Sequence, residues 1–206
     1  MAGQTTTAPD DRRQGLFLVA GMVAVMWVVE VIDQIAGGSL DQYGIEPHDP
    51  DGLVGIVTAP FLHAGFGHLI GNTVPFVLLG ATIALSGLVR VAATTAIVAL
   101  LGGFGTWLIA PSGTDHIGAS GVVFGYATYL IARGLFSRNL LHLAVGLLVI
   151  AVYGTTLLTS VAPHDGISWQ GHLCGGIAGV IAARVLDRRD RGPRELPDDG
   201  NRALVG

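Results

Sequence analysis

The sequence predicts an all-α polytopic membrane protein, a bundle of six transmembrane helices. Three observations lead there: sparse charge, six apolar blocks of spanning length, and arginines confined to alternate links between the blocks. Of 206 residues, 50% are hydrophobic and only 13% charged, against about 25% charged in a typical soluble domain. The mean hydropathy is +0.60. Charge this sparse leaves too little polar surface to face water on every side. The 31 glycines suit helices that approach one another closely in lipid. A net charge of −4 without a basic, aromatic-interleaved face gives no footprint for nucleic acid. One cysteine, Cys174, excludes an intrachain disulfide framework.

The apolar blocks are Leu16–Ile35, Leu69–Leu88, Val91–Ala110, Ile117–Leu135, Leu140–Ala162 and Trp169–Leu186. Each is near the ~20 residues that cross a hydrocarbon core. Each must satisfy its own backbone in lipid, so each is read as a helix. The first block is read as a span rather than a cleavable leader, because no small-residue cleavage site follows it. Residues 1–14 are read as a cytoplasmic tail, 15–186 as the membrane domain and 187–206 as a second, disordered cytoplasmic tail.

Orientation follows from arginine, since the chain has no lysine. Arg12 and Arg13 precede the first block, Arg90 separates the second and third, and Arg133 and Arg138 border the link from fourth to fifth. Arg184, Arg188, Arg189, Arg191, Arg194 and Arg202 close the chain. All eleven fall on one side of a six-span arrangement. The other side carries Asp41, Glu46, Asp49, Asp51, Asp115 and Asp165. The positive-inside rule then places both termini in the cytoplasm of a cell-membrane protein. The one long link, residues 36–67, lies outside. Its first half is acidic and rich in turn residues, and its apolar second half, Leu53 to Phe66, is expected at the membrane interface.

Polar groups within spans are costly and so mark candidate sites. His68 and Asn72 open the second span, Ser120 the fourth and His172 the sixth. These spans all run inward, so the four residues share a depth of roughly 5–10 Å below the outer face, at ~1.5 Å per residue. His68 and Asn72, four apart, share one helix face. A hydroxyl, two imidazoles and an amide at one level suit acyl transfer. Histidine can take a serine's proton, and the amide, the second imidazole and a backbone N–H can meet an oxyanion. The bland readings are that a membrane serine bonds its own backbone and that Gly171, Gly175 and Gly179 form a packing stripe. His48, His116 and His164 are read as solvated loop residues and His63 as a loop-packing group. Cys174, about 200° round the helix from His172, faces away from it. Glu30 and Asp33 are expected to snorkel to water at the end of the first span.

Three stretches carry a resemblance: His63-Ala-Gly-Phe-Gly-His68-Leu-Ile-Gly-Asn72, Gly118-Ala-Ser120-Gly121-Val-Val-Phe124-Gly125, and Gly171-His172-Leu-Cys-Gly175-Gly-Ile-Ala-Gly179. In this order, on the second, fourth and sixth spans, they resemble the rhomboid family of intramembrane serine proteases. The resemblance covers roughly residues 15–186. It implies Ser120 as nucleophile and His172 as base. It also implies His68 and Asn72 as oxyanion donors beside Gly118, and Phe124 packed near the base. The implied substrates are transmembrane proteins within the lipid bilayer, with no cofactor and no metal. The stretch Gly52–Thr58 holds neither the tryptophan nor the arginine that many bacterial members carry there, and Ala84 stands where many have glutamate. The alternatives are a rhomboid-like pseudoprotease that binds membrane clients uncut, a transporter, and a zinc site on His63, His68 and His172.

Overall fold

The computed structural model describes residues 8–163 and 166–190. The predicted tails lie largely outside this range, as do His164 and Asp165. Six long helices occupy the six apolar blocks: α1 (Pro9–Ile35), α2 (Phe66–Ala84), α3 (Leu88–Ile109), α4 (Ser120–Phe136), α5 (Leu140–Thr159) and α6 (Trp169–Asp190). A short apolar helical segment, Asp51–Phe61, sits in the first loop. Among the described residues there is no strand, only the isolated antiparallel bridge Ile45–His116. Among the described residues four helices, α1, α2, α3 and α5, are long and apolar enough to cross a membrane. Helix α4 has 17 residues, and α6 runs on into the charged stretch that ends at Asp190.

Local chemistry sets the helix ends. Pro9 fits the first turn of α1, where a missing N–H costs nothing, and Asp10 and Asp11 complement the positive end of the helix dipole. The helix therefore begins inside the predicted tail. Asp11 Oδ1 also accepts the Leu88 N–H at 3.1 Å, tying the start of α3 to α1. Asn139 caps α5 by accepting from the Leu141 and His142 N–H groups at 2.8 and 3.3 Å. Threonines within the helices return their hydroxyls to the carbonyl one turn back, as Thr73, Thr82, Thr94 and Thr106 do. This satisfies polar atoms where lipid offers no partner. Helix α3 contains one π-helical turn, Val98–Gly102.

Helix α4 is the axis of the bundle. Tyr126 and Tyr129 are fully buried on it, with Phe76 of α2, Val98 of α3 and Ala182 of α6 around them. Its contact with α6 is main chain against main chain. A Cβ added to Gly175 would lie 2.1 Å from the Gly121 carbonyl oxygen, and one on Gly179 would lie 2.1 Å from that of Gly125. Thr128 Oγ1 donates across the seam to the Gly176 carbonyl at 2.7 Å. The predicted packing stripe is thus real, and α3 joins it through Gly102, whose added Cβ would sit 3.1 Å from Gly175 Cα. Gly175→Val should lower bundle stability by about 3 kcal/mol or more, because the contacted atoms are backbone and cannot rotate away. Gly71 has open space around it, so Gly71→Ala should leave the unfolding midpoint in detergent unchanged. Equal midpoints for both variants would refute the close seam.

Candidate active site

The turn into α4 is built on Gly118, whose φ of 108° belongs to the left-handed side that favours glycine. Its N–H donates to the Ala59 carbonyl at 2.9 Å. A Cβ here would fall 2.6 Å from His68 Cε1, 2.7 Å from His68 Nε2 and 3.6 Å from Asn72 Nδ2. The missing side chain is therefore what lets His68 and Asn72 lie on the backbone two residues before Ser120. Asn72 is buried and donates to the His68 carbonyl at 3.1 Å. His68 Nδ1 accepts the Ala64 N–H at 3.4 Å, which leaves the ring proton on Nε2, the atom facing Gly118.

His172 is buried in the first turn of α6. Its Nδ1 donates to the Ser160 carbonyl at the end of α5, at 2.9 Å, so Nε2 carries the free lone pair. Phe124, one turn after Ser120, stacks flat on the ring, with centroids 4.2 Å apart and planes 3° apart. The helices meet at the same level, where a Cβ on Gly121 would lie 3.2 Å from the Gly171 carbonyl oxygen. Ser120 lines a cavity of about 50 Å³ together with Gly118, Gly121, His116, Ser168 and Gly171. Of the sequence-predicted residues, His68 and Asn72 lie against Gly118, two residues before Ser120, and His172 on the adjoining helix stacks on Phe124, one turn after Ser120.

The chain matches the Rhomboid domain over residues 50–189. It belongs to the rhomboid family. It is also 46% identical over 189 residues to an uncharacterised protein of Mycobacterium tuberculosis, covering 88% of this chain and 79% of the relative. A Mycobacterium leprae protein is 45% identical over 187 residues, covering 86% and 74%. A Bacillus subtilis protein whose name assigns it provisionally to the rhomboid proteases is 29% identical over 140 residues, covering 66% and 69%.

Several side chains in this rhomboid fold depart from their expected roles. His116 is half-buried rather than solvated. Its Nε2–H donates to Thr114 Oγ1 at 2.9 Å, and its Nδ1 accepts from Ser168 Oγ at 2.6 Å. Ser168 Oγ in turn accepts the Gly171 N–H at 3.2 Å. This chain of bonds fastens the segment before α4 to the start of α6. Burial pushes the His116 pKa down, against the pull of Asp115, in keeping with the neutral ring the bonds require. His63 is also buried. Its Nε2 accepts the Ala119 N–H at 3.4 Å, and its ring meets His68 edge-on at 5.1 Å. Burial, then the neighbouring His68, lower its pKa to about 4, so it packs as a neutral ring at neutral pH. His48 is exposed as expected, yet both ring nitrogens are bound, Nδ1 to Ser112 Oγ and Nε2 to the Leu108 carbonyl. Cys174 packs against Gly105 of α3.

The expectation for Glu30 and Asp33 is corrected: both are buried, with exposures of 0% and 2%. The first loop folds over the end of α1, and the Leu40 N–H docks on Asp33 at 2.6 Å. Sequence reading also missed Ser160 and Ser168, which no spacing singles out. Among the described residues, no three His, Cys, Asp or Glu side chains converge as metal ligands would.

Proposed function

We propose that this rhomboid is a six-span intramembrane serine endopeptidase that cleaves transmembrane proteins near the outer membrane face. Ser120 is the nucleophile and His172 the base. His172 Nε2 takes the Ser120 hydroxyl proton as the oxygen attacks the scissile carbonyl carbon, then returns it to the leaving amine; water later hydrolyses the acyl-enzyme. His68 Nε2–H, Asn72 Nδ2–H and the main-chain N–H beside Ser120 meet the oxyanion. The observation that carries this reading is the seating of His68 and Asn72 on Gly118, two donors aimed at the turn that bears the serine. The Ser160 carbonyl on His172 Nδ1 fits a dyad, since a main-chain oxygen takes the orienting place an acid would hold. The small cavity beside Ser120 favours a small residue just before the cut bond. A substrate helix must unwind there to expose its peptide bond.

The test is labelling by a fluorophosphonate in detergent micelles. The wild type should be modified at Ser120, and Ser120→Ala should not be. Absence of labelling in a folded wild type would favour a pseudoprotease that holds membrane clients uncut.

The six-span count and the orientation rest on the arginines and on the packing of α4 and α6 lengthwise within the bundle. The membrane domain then runs over residues 15–186, between two cytoplasmic tails. Cysteines introduced at positions 5 and 200 of a Cys174→Ala background should be shielded from an impermeant maleimide in intact cells, and one at position 49 should react. Labelling of either terminus from outside would refute this topology.

A further inference from the structure

At the end of the bundle that carries Ser120, two buried carboxylates of α1 and a half-buried one of the first loop lie close together. Glu30 and Asp33 lie one turn apart on α1, and Asp41 opens the helical turn Asp41–Tyr43 of the first loop. Two of them are bonded on one oxygen. Glu30 Oε1 accepts from Gln34 Nε2 at 2.9 Å, and Asp33 Oδ1 accepts from the Leu40 N–H at 2.6 Å. Glu30 Oε2, Asp33 Oδ2 and Asp41 Oδ1 are buried with no hydrogen-bond partner.

No compensating cation comes from nearby sequence, since no arginine or lysine lies between Arg13 and Arg90. The charged groups facing Asp41 are Asp33 and Glu30 from α1 and Asp115 from the segment before α4. The imidazole facing Glu30 is His68 of α2. Glu46, Asp49 and Asp51 add further negative charge along the same loop. Asp33, Glu30 and Asp115 repel a charge on Asp41, whose buried Oδ1 has no hydrogen bond to offset that repulsion.

We propose that Asp41, set against Glu30 and Asp33, is a proton-dependent latch, which fastens the first loop to the end of α1 when its carboxyl is protonated and releases it on deprotonation. Burial, then Asp33, Glu30 and Asp115, raise the pKa of Asp41 to about 6. A raised carboxylate pKa means that docking favours the protonated form. The latch is fully fastened below the ordinary value of 3.8 and is lost as pH rises through about 6. Release would be felt at the turn before Ser120. Four residues after Asp41, Ile45 exchanges two backbone bonds of 3.0 Å with His116, and the same loop supplies the Ala59 carbonyl that holds Gly118. The latch does not depend on the protease reading.

The experiment is hydrogen exchange of the full chain in lipid nanodiscs, following the amides of residues 40–45 and correcting for intrinsic exchange. Between about pH 5 and pH 7 the wild type should lose protection several-fold, with a midpoint near 6. Asp41→Asn, neutral throughout, should keep the acid level of protection at both ends of that range. Glu30→Gln removes one repelling charge and should move the midpoint to lower pH. The exposed Asp51→Asn should behave as wild type. PH-independent protection in the wild type, or an unmoved midpoint in Glu30→Gln, would overturn the latch. Protection at pH 7 restored by calcium and lost with a chelator would overturn it in favour of a cation site.

Discussion

Ser120→Ala and His172→Ala should each slow cleavage of a single-span test substrate by on the order of 10⁴–10⁶, with the double variant no slower than either alone. The two groups work as one unit. Without the base, the Ser120 hydroxyl keeps its proton and is a poor nucleophile; without the hydroxyl, His172 has nothing to activate. Loss of fluorophosphonate labelling in His172→Ala, with the serine still present, separates lost activation from lost nucleophile. His172 also stacks on Phe124 and bonds Ser160, so its removal could loosen the junction of α4, α5 and α6. Phe124→Ala controls for this, since it removes the stack but leaves both reacting groups, and it should retain measurable turnover. Cleavage by Ser120→Ala at the wild-type rate would end the serine assignment.

The second large effect lies at the oxyanion. Asn72→Ala and His68→Ala should each lower kcat by about 10²–10³ with little change in KM, the scale for one lost oxyanion donor, about 2.7–4 kcal/mol. Such donors act on charge that develops only in the transition state, so substrate binding is spared. Gly118→Ala should match them although it removes no donor. Its methyl group would have to displace His68, and the φ of 108° disfavours any side chain. If turnover in all three variants equals wild type while folding is intact, His68 and Asn72 are packing residues only.

What the sequence made legible follows from which physical rules act locally. Apolar length located five of the six helices to within about four residues, whereas α1 starts at Pro9, well before the predicted Leu16. Helical spacing put His68 and Asn72 on one face, and common entry depth brought them towards Ser120. Other features depend on what the first loop does after folding, which no local pattern encodes. Glu30 and Asp33 sit near a helix end where a carboxylate can reach water, yet folding buries both, with Leu40 of the first loop bonded to Asp33. His116 has the sequence of a solvated loop residue, and only its bridge to Ile45 and its bond to Ser168 draw it into the site. The tautomers of His68 and His172 are fixed by Ala64 and Ser160, main-chain partners invisible in a string of letters. The missing tryptophan and arginine of the loop have no single replacement: Trp107 Nε1 donates to the Asp49 carbonyl at 2.8 Å and His48 holds Leu108, so α3 anchors the loop from its other side.

The main-chain seam between α4 and α6 bears on how saturation mutagenesis of this protein should be interpreted. Gly125, Gly175 and Gly179 have no volume to yield, so nearly every substitution there would score as inactive, as at Ser120 and His172. On an activity map the tolerated positions would fall away from two stripes, and the stripes alone would look like one extended catalytic centre. Scoring membrane abundance in parallel separates them. Glycine variants should disappear from both maps, whereas Ser120→Ala should vanish from the activity map and persist in the abundance map.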